Sequence, residues 1–352
     1  MRHSLFCFRS LAAISGLLTA MGTVPAQDKV ILQRASLTAR VTISGIVEDY
    51  TGVEVSIRAE SDQALRTYPS ADVVEIQTAQ TESHTRGLKL LAAGQLEQAQ
   101  AELEVALKRE PRAWVRREIL AALVRCGLRR GDYSNAGARF LAIMRSDPTS
   151  RHFRLIPLIW APETLTRATI AEAQGWLNGN VDAGRLLGAS LLYDDRELKP
   201  EARRALRELS ASTDVRVRNF AQMQAWREEA YAGDHERRQI ERWQKRVDEL
   251  AEDFRAGPSY LLGRAYAARH DYEQAAAALL WLPLVDDHDF RLAARACLEA
   301  ALALERIGQH AESQTLLQEV STRFAETPFA EEARGLLDRD KTTELIPSRR
   351  RR

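Results

Sequence analysis

Residues 94–111, GQLEQAQAELEVALKREP, and residues 131–148, GDYSNAGARFLAIMRSDP, align without a gap. Gly94 falls on Gly131, Ala99 on Ala136, Leu103 on Phe140, Ala106 on Ile143 and Pro111 on Pro148. One constant offset at five positions of matching size marks an internal repeat. Repeats of this length are helical units that cannot bury their apolar faces alone and must stack on neighbours. A second pair lies near the C-terminus. Gly263, Tyr266, Tyr272, Ala275, Leu279 and Leu282 recur, at an offset of 38, as Ala301, Leu304, His310, Ser313, Leu317 and Val320. The composition from about residue 84 onward, rich in Ala, Leu, Arg and Glu, favours helix. The fold class expected is therefore mainly α, an α-solenoid of antiparallel helix pairs forming an open curved wall.

Residues 28–78 follow another period. Val41 and Ile43 alternate with polar neighbours, as do Val53, Val55 and Ile57, and Val74 and Ile76. Asp49-Tyr50-Thr51-Gly52 and Pro69-Ser70-Ala71-Asp72 interrupt these runs as turns do. Four or five short strands in this space predict a small, closed or nearly closed β-barrel, similar in pattern to SH3-like barrels. A sheet this small buries little surface, so it is expected to lean on the first helices.

The helical units resemble tetratricopeptide (TPR) repeats. Gly87, Leu90, Gly94, Ala99, Leu103, Ala106 and Pro111 occupy that family's small, large and helix-ending positions in order. The resemblance covers 82–150 and 257–338. It departs in the second unit, whose pitch is 37 residues instead of 34, with Trp114 in the extension. Residues 160–255 are helical without the hallmark. There Asp214-Val215-Arg216-Val217-Arg218, with Ala221 one turn later, is similar to the start of the second helix of HEAT repeats. Pro162 and Pro200 are expected at helix starts, His235–Phe254 as one long charged helix, and Trp176 and Trp226 as wedges between helices. Phe329–Leu337 reads as a capping helix, and 339–352, ending in Arg349–Arg352, as a disordered basic tail.

The resemblance implies a concave face lined by the first helix of each pair. Mapped onto this chain, that face includes Arg125, Arg129, Tyr260, Arg264, Glu305 and Arg306. An arginine-weighted groove suits an acidic or carboxylate-bearing partner. The same arginines would equally serve intrahelical ion pairs with the many Glu residues. The Lys and Asn pattern with which some family members clamp a terminal carboxylate is absent.

Nothing in the chain carries an enzyme's signature. Gly184 and Gly188 follow no strand, so no phosphate loop is implied, and Gly-x-Ser-x-Gly, His-Glu-x-x-His and Cys-x-x-Cys are all missing. Asp286-Asp287-His288-Asp289 is the densest set of potential metal ligands, and its place between two units fits helix capping. No metal and no cofactor are expected. Cys126 and Cys297 stand alone within helical patterns and read as small buried residues. The N-terminus has the form of an export signal, with Arg2 and Arg9 before an apolar run from Leu11 to Met21 and Val24-Pro25-Ala26 at the cleavage position. That run falls short of the roughly 20 residues of a membrane span. Without residues 1–26 the chain holds 48 basic and 49 acidic residues. Such a balance gives no broad attraction to nucleic acid. The expectation is an exported, periplasmic or envelope scaffold that binds a protein or peptide. The alternative is an envelope protein attached to cell wall or membrane through its β domain.

Overall fold

The computed structural model describes residues 27–33, 39–232 and 236–344. The expected export signal and the four terminal arginines lie outside them. At the N-terminal end five antiparallel strands form one sheet: β1 (Asp28–Leu32), β2 (Val41–Tyr50), β3 (Glu54–Ala59), β4 (Leu65–Pro69) and β5 (Val73–Gln77), in the order β4-β3-β2-β1-β5. A 3-10 turn at Ser70–Asp72 joins β4 to β5 where the Pro-Ser-Ala-Asp turn was expected. Among the described residues no ladder joins β4 to β5, so of the closed or nearly closed barrel expected, the structure shows a five-stranded antiparallel sheet open between these two strands. Val30, Leu32, Val47, Val55 and Ile57 make its core, whereas Val41, Val53 and Val74 are largely exposed. Val53 lies in the turn between β2 and β3, and Val74 is the residue left unpaired where the β1–β5 register shifts.

The sheet does lean on the helices, through polar bonds as much as apolar contact. Trp114, from the three-residue extension of the second unit, is buried and donates its indole Nε1–H to Val47 O at 3.2 Å. Arg117 pairs with Asp49 and also donates to Tyr50 O and Ser146 Oγ, each at 3.0 Å. The Asp147 carboxylate accepts from Gly52 N at 2.9 Å. Arg112 chelates Glu110 and donates to Thr78 Oγ1 and Ala79 O.

Beyond the sheet the chain is helical. The first four helices, α1 (Glu82–Ala92), α2 (Leu96–Arg109), α3 (Ala113–Arg130) and α4 (Tyr133–Ser146), pack as consecutive antiparallel neighbours. Gly94 and Gly131 make the turns within each pair at φ of 73° and 70°, a left-handed backbone that other residues adopt only at a cost. Ala99, Leu103 and Ala106, with their repeat partners Ala136, Phe140 and Ile143, are fully buried. A β-carbon added at Gly87 would sit 2.7 Å from Leu103 Cγ, and one at Gly263 would sit 2.5 Å from Leu279 Cγ. The same close crossing, with the same 16-residue spacing between glycine and leucine, thus recurs in distant parts of the chain.

The middle comprises α5 (Arg167–Leu177), α6 (Asp182–Leu192), α7 (Lys199–Leu209), α8 (Val215–Gln224), α9 (Trp226–Ala232) and α10 (Arg237–Asp248). Pro200 stands in the first turn of α7, as expected. Pro162 does not begin a helix; α5 starts at Arg167 behind a Thr166 cap. The expected long helix over 235–254 is shorter, because α10 stops at Asp248 and a 3-10 turn at Glu252–Phe254 follows. Trp226 stacks on Trp243 with ring centroids 4.7 Å apart. Asp214 caps α8 and grips Arg216, whose guanidinium also reaches Pro148 O at 2.7 Å. An irregular stretch, 156–161, runs buried through the centre. Its Ile159 amide and carbonyl are satisfied by Ser190 and Gln224, as buried backbone requires.

The last part holds α11 (Ala256–Ala268), α12 (Tyr272–Leu279), α13 (Trp281–Val285), α14 (Phe290–Arg306), α15 (His310–Arg323) and α16 (Pro328–Glu344). Ala275 and Ser313 are buried where α12 crosses α11 and α15 crosses α14. Helix α16 continues to Glu344, so the first part of the expected tail is helical. Cys126 and Cys297 are buried and unbridged, and burial pushes their thiols up to about 11 and about 12.

The helices pack mainly on their consecutive neighbours, and the ends of the stack also meet. Helix α14 packs against α3, and Arg129 forms an ion pair with Glu326, donates to Leu91 O at 2.8 Å and lies 4.1 Å above the Phe290 ring. Arg291 pairs with Glu163 at 3.3 Å. The C-terminal helices close back onto the first unit. The crossing at Gly263 gives the first test. Gly263→Ala should lower stability by about 1–3 kcal/mol in urea unfolding, through overpacking against Leu279. Gly175→Ala, within α5 and with nothing within 4 Å of the added carbon, should raise it by about 0.5–1 kcal/mol. A neutral Gly263→Ala would refute the tight crossing.

Candidate functional site

The six residues expected on one concave face do not share a surface. Tyr260 is wholly buried. Its hydroxyl donates to Glu299 Oε1 at 3.0 Å and accepts from Tyr231 at 3.2 Å, and burial raises its pKa well above the phenol range. Arg264 joins the same cluster, 3.4 Å from Glu299 and stacked 5.0 Å over Tyr231. Arg129 is committed to Glu326. Glu305 accepts from His310 Nδ1 at 2.7 Å at an exposed corner, and Arg306 is exposed near the end of α14. The intrahelical ion pairs of the second reading are not what Arg129 and Arg264 make, since both pair with residues outside their own helices.

Arg125 differs from the rest. It is half-buried and has no ion-pair partner among the described residues. Helix α3 turns a stripe of Val115, Glu118, Ala122 and Arg125 toward a cleft of about 390 Å³, the spacing of one helical face. Helix α1 contributes His84 and Leu88 at i and i+4, and strand β5 supplies the opposite wall. Tyr50, Trp114 and Arg151 complete the ends. The cleft exists because the β domain is bolted to α3, leaving a gap beside the helix pair.

Its electrostatics are uneven. Glu118 accepts from Arg151 at 2.6 Å and contacts His152 Nε2 at 3.0 Å. Burial opposes its charge, but the hydrogen bond to His152 and the charges of His152 and Arg151 outweigh it and hold the carboxyl down to about 2. It is a carboxylate already spoken for. Burial, and then the like charge of Arg154, press Arg125 below the usual guanidinium range, the mark of a cation short of counter-charge. His84 is buried, its Nδ1 has no hydrogen-bond partner, and burial lowers its pKa so that the ring is neutral at pH 7. The cleft therefore offers an unmatched positive charge beside apolar walls, suited to holding an anionic group. Asp286 to Asp289 lie elsewhere, with Asp289 capping α14, Asp286 bonded to His288 and Asp287 paired with Arg323.

Sequence reasoning reached Arg125 but missed Glu118, Arg151, His84 and β5. The α3 stripe was readable from its spacing. Its juxtaposition with β5 depends on contacts between distant segments and leaves no local signal.

Glu118 gives a test with a definite sign. Its folded value of about 2 lies below the ordinary 4.5. The stabilisation is thus complete above pH 4.5 and is lost as the pH falls toward 2. Glu118→Gln should cost on the order of 2 kcal/mol at pH 7 and flatten that part of the acid-unfolding curve. An unchanged curve would contradict the pairing. Comparison of the chain with protein-family models and with curated proteins finds no match.

Proposed function

We propose that this protein is a non-catalytic scaffold of the cell envelope, built of TPR-like helix pairs, that holds a protein or peptide partner. The recurrence of the glycine–leucine crossing at Gly87 and Gly263 supports the TPR-like reading. So do the left-handed turns at Gly94 and Gly131. The observation that carries the binding role is Arg125, a half-buried cation without an internal partner in a preformed cleft. A partner held there bears most of the ordering cost, because the walls are fixed by packed helices. The α3 face corresponds to the inner helix of a TPR-like pair, with the β domain narrowing the groove.

Attachment through the β domain is the second reading. An apolar groove of about 770 Å³ crosses the sheet, lined by Leu32, Val41, Ile43 and Tyr68 among others. Sedimentation of the protein with purified cell wall addresses it.

Photo-crosslinking in whole cells tests the scaffold. A photoreactive residue at Gln80 or Val74, beside the cleft, should give discrete crosslinked species that are absent when it replaces the exposed Glu97. Arg125→Gln should remove them. Identical patterns from all three positions, or none from any, would refute the proposal.

A further inference from the structure

Strand β5 borders the cleft with its edge. Val73, Val74, Glu75 and Ile76 all line the space, the alternation of side chains being broken at Val74, where the register with β1 shifts. A cleft that touches four in a row runs along the backbone. On its other side β5 pairs with β1, and among the described residues no other strand joins it. Proteins commonly blunt such edges with Lys, Pro or a covering element. The β5 sequence, Val-Val-Glu-Ile-Gln, has neither Lys nor Pro, and Val74 is 47% exposed.

The opposite wall supplies charge. Arg125 has Arg151 and Arg154 for neighbours, and of the two acids lining the cleft Glu118 is engaged by Arg151 and His152 while Glu75 stands on β5 across the space. Behind the wall the buried His84 Nδ1 has no partner. An unpaired edge and an unmatched cation therefore face one space.

We propose that the cleft binds an extended acidic peptide segment, which adds as a strand to the free edge of β5 while one of its carboxylates pairs with Arg125. Main-chain hydrogen bonds would supply sequence-independent affinity. Carboxylates at every second residue would all face α1 and α3, because side chains on a strand repeat with period two. A cationic or purely apolar segment would leave Arg125 without a counter-charge. This inference rests on the reading of the protein as a partner-binding scaffold, and it specifies the partner's chemistry.

The test uses the full chain and a soluble probe, acetyl-(Thr-Glu)4-amide, in titration calorimetry and amide hydrogen exchange. The probe should bind and slow exchange at Val73–Gln77. Acetyl-(Thr-Lys)4-amide and the Thr-Glu peptide N-methylated throughout should not bind. Arg125→Gln should weaken binding about ten- to hundredfold, the scale of a charge-assisted hydrogen bond. Equal binding of the Lys peptide, or undiminished binding of the N-methylated one, would overturn the proposal without reference to any variant. Absence of Thr-Glu binding alongside cleft-specific crosslinks in cells would overturn the acidic-strand chemistry and leave the scaffold standing. Absence of both would remove both.

Discussion

Helix α3 is covered on all sides but the stripe that faces the cleft, and the rest of the molecule is arranged around that constraint. Its residues from Trp114 to Leu128 are nearly all buried. It touches α1, α2 and α4 from the first units, β2 from the sheet, the 3-10 turn at Arg151–Leu155, and α14 from the C-terminal part. A helix that is apolar around most of its circumference is stable only inside a larger body. Here the covering elements come from three regions far apart in sequence. The sheet could not bury enough surface alone, and α3 supplies the second layer. The C-terminal pair closes the side that an open stack would leave to solvent.

Arginine does much of the joining. Arg117 fastens the sheet, Arg129 the C-terminal helices, Arg216 the middle to the end of α4, and Arg227 the core of the middle segment through Asp194 and Ser190 O. The planar guanidinium offers several donors in fixed directions, so one side chain can satisfy a carboxylate and one or two orphan carbonyls at a junction. Such buried pairs contribute modestly to stability once desolvation is counted, yet breaking one leaves an uncompensated charge. They set which surfaces meet. Arg125 stands out in this setting because no acid meets it.

What the sequence disclosed was local. The repeat positions Ala99, Leu103, Ala136 and Phe140, the turns at Gly94 and Gly131, and the change from period two to helical period near Glu82 all follow from side-chain size and backbone freedom within a few residues. Pro162 misled because a proline favours a helix start without requiring one, and here it belongs to an irregular segment that runs on to the Thr166 cap. The long charged helix expected up to Phe254 overlooked the break after Asp248. The meeting of the two ends of the stack was only half legible. The apolar run Trp-Val-Arg-Arg-Glu-Ile-Leu-Ala-Ala-Leu-Val marks α3 as a helix buried on most sides and open only along Val115, Glu118, Ala122 and Arg125, and that pattern was present to be read. Which elements would cover it was not, since pairing between residues 129 and 326 has no signature at either place. The same holds for the cleft: Arg125 was legible as a candidate, but β5 beside it was not.

Closure of the C-terminal helices onto α3 is therefore the claim on which the arrangement depends. It is tested most directly by crosslinking cysteines placed at Arg129→Cys and Glu326→Cys with a short bifunctional maleimide that spans the reach of the two replaced side chains, in a chain whose Cys126 and Cys297 are replaced by Ala. The account predicts near-complete intramolecular bridging by the reagent, with circular dichroism unchanged. Failure to bridge in the folded protein would mean that the two ends stand apart as in an open stack, and would contradict the closed body described above.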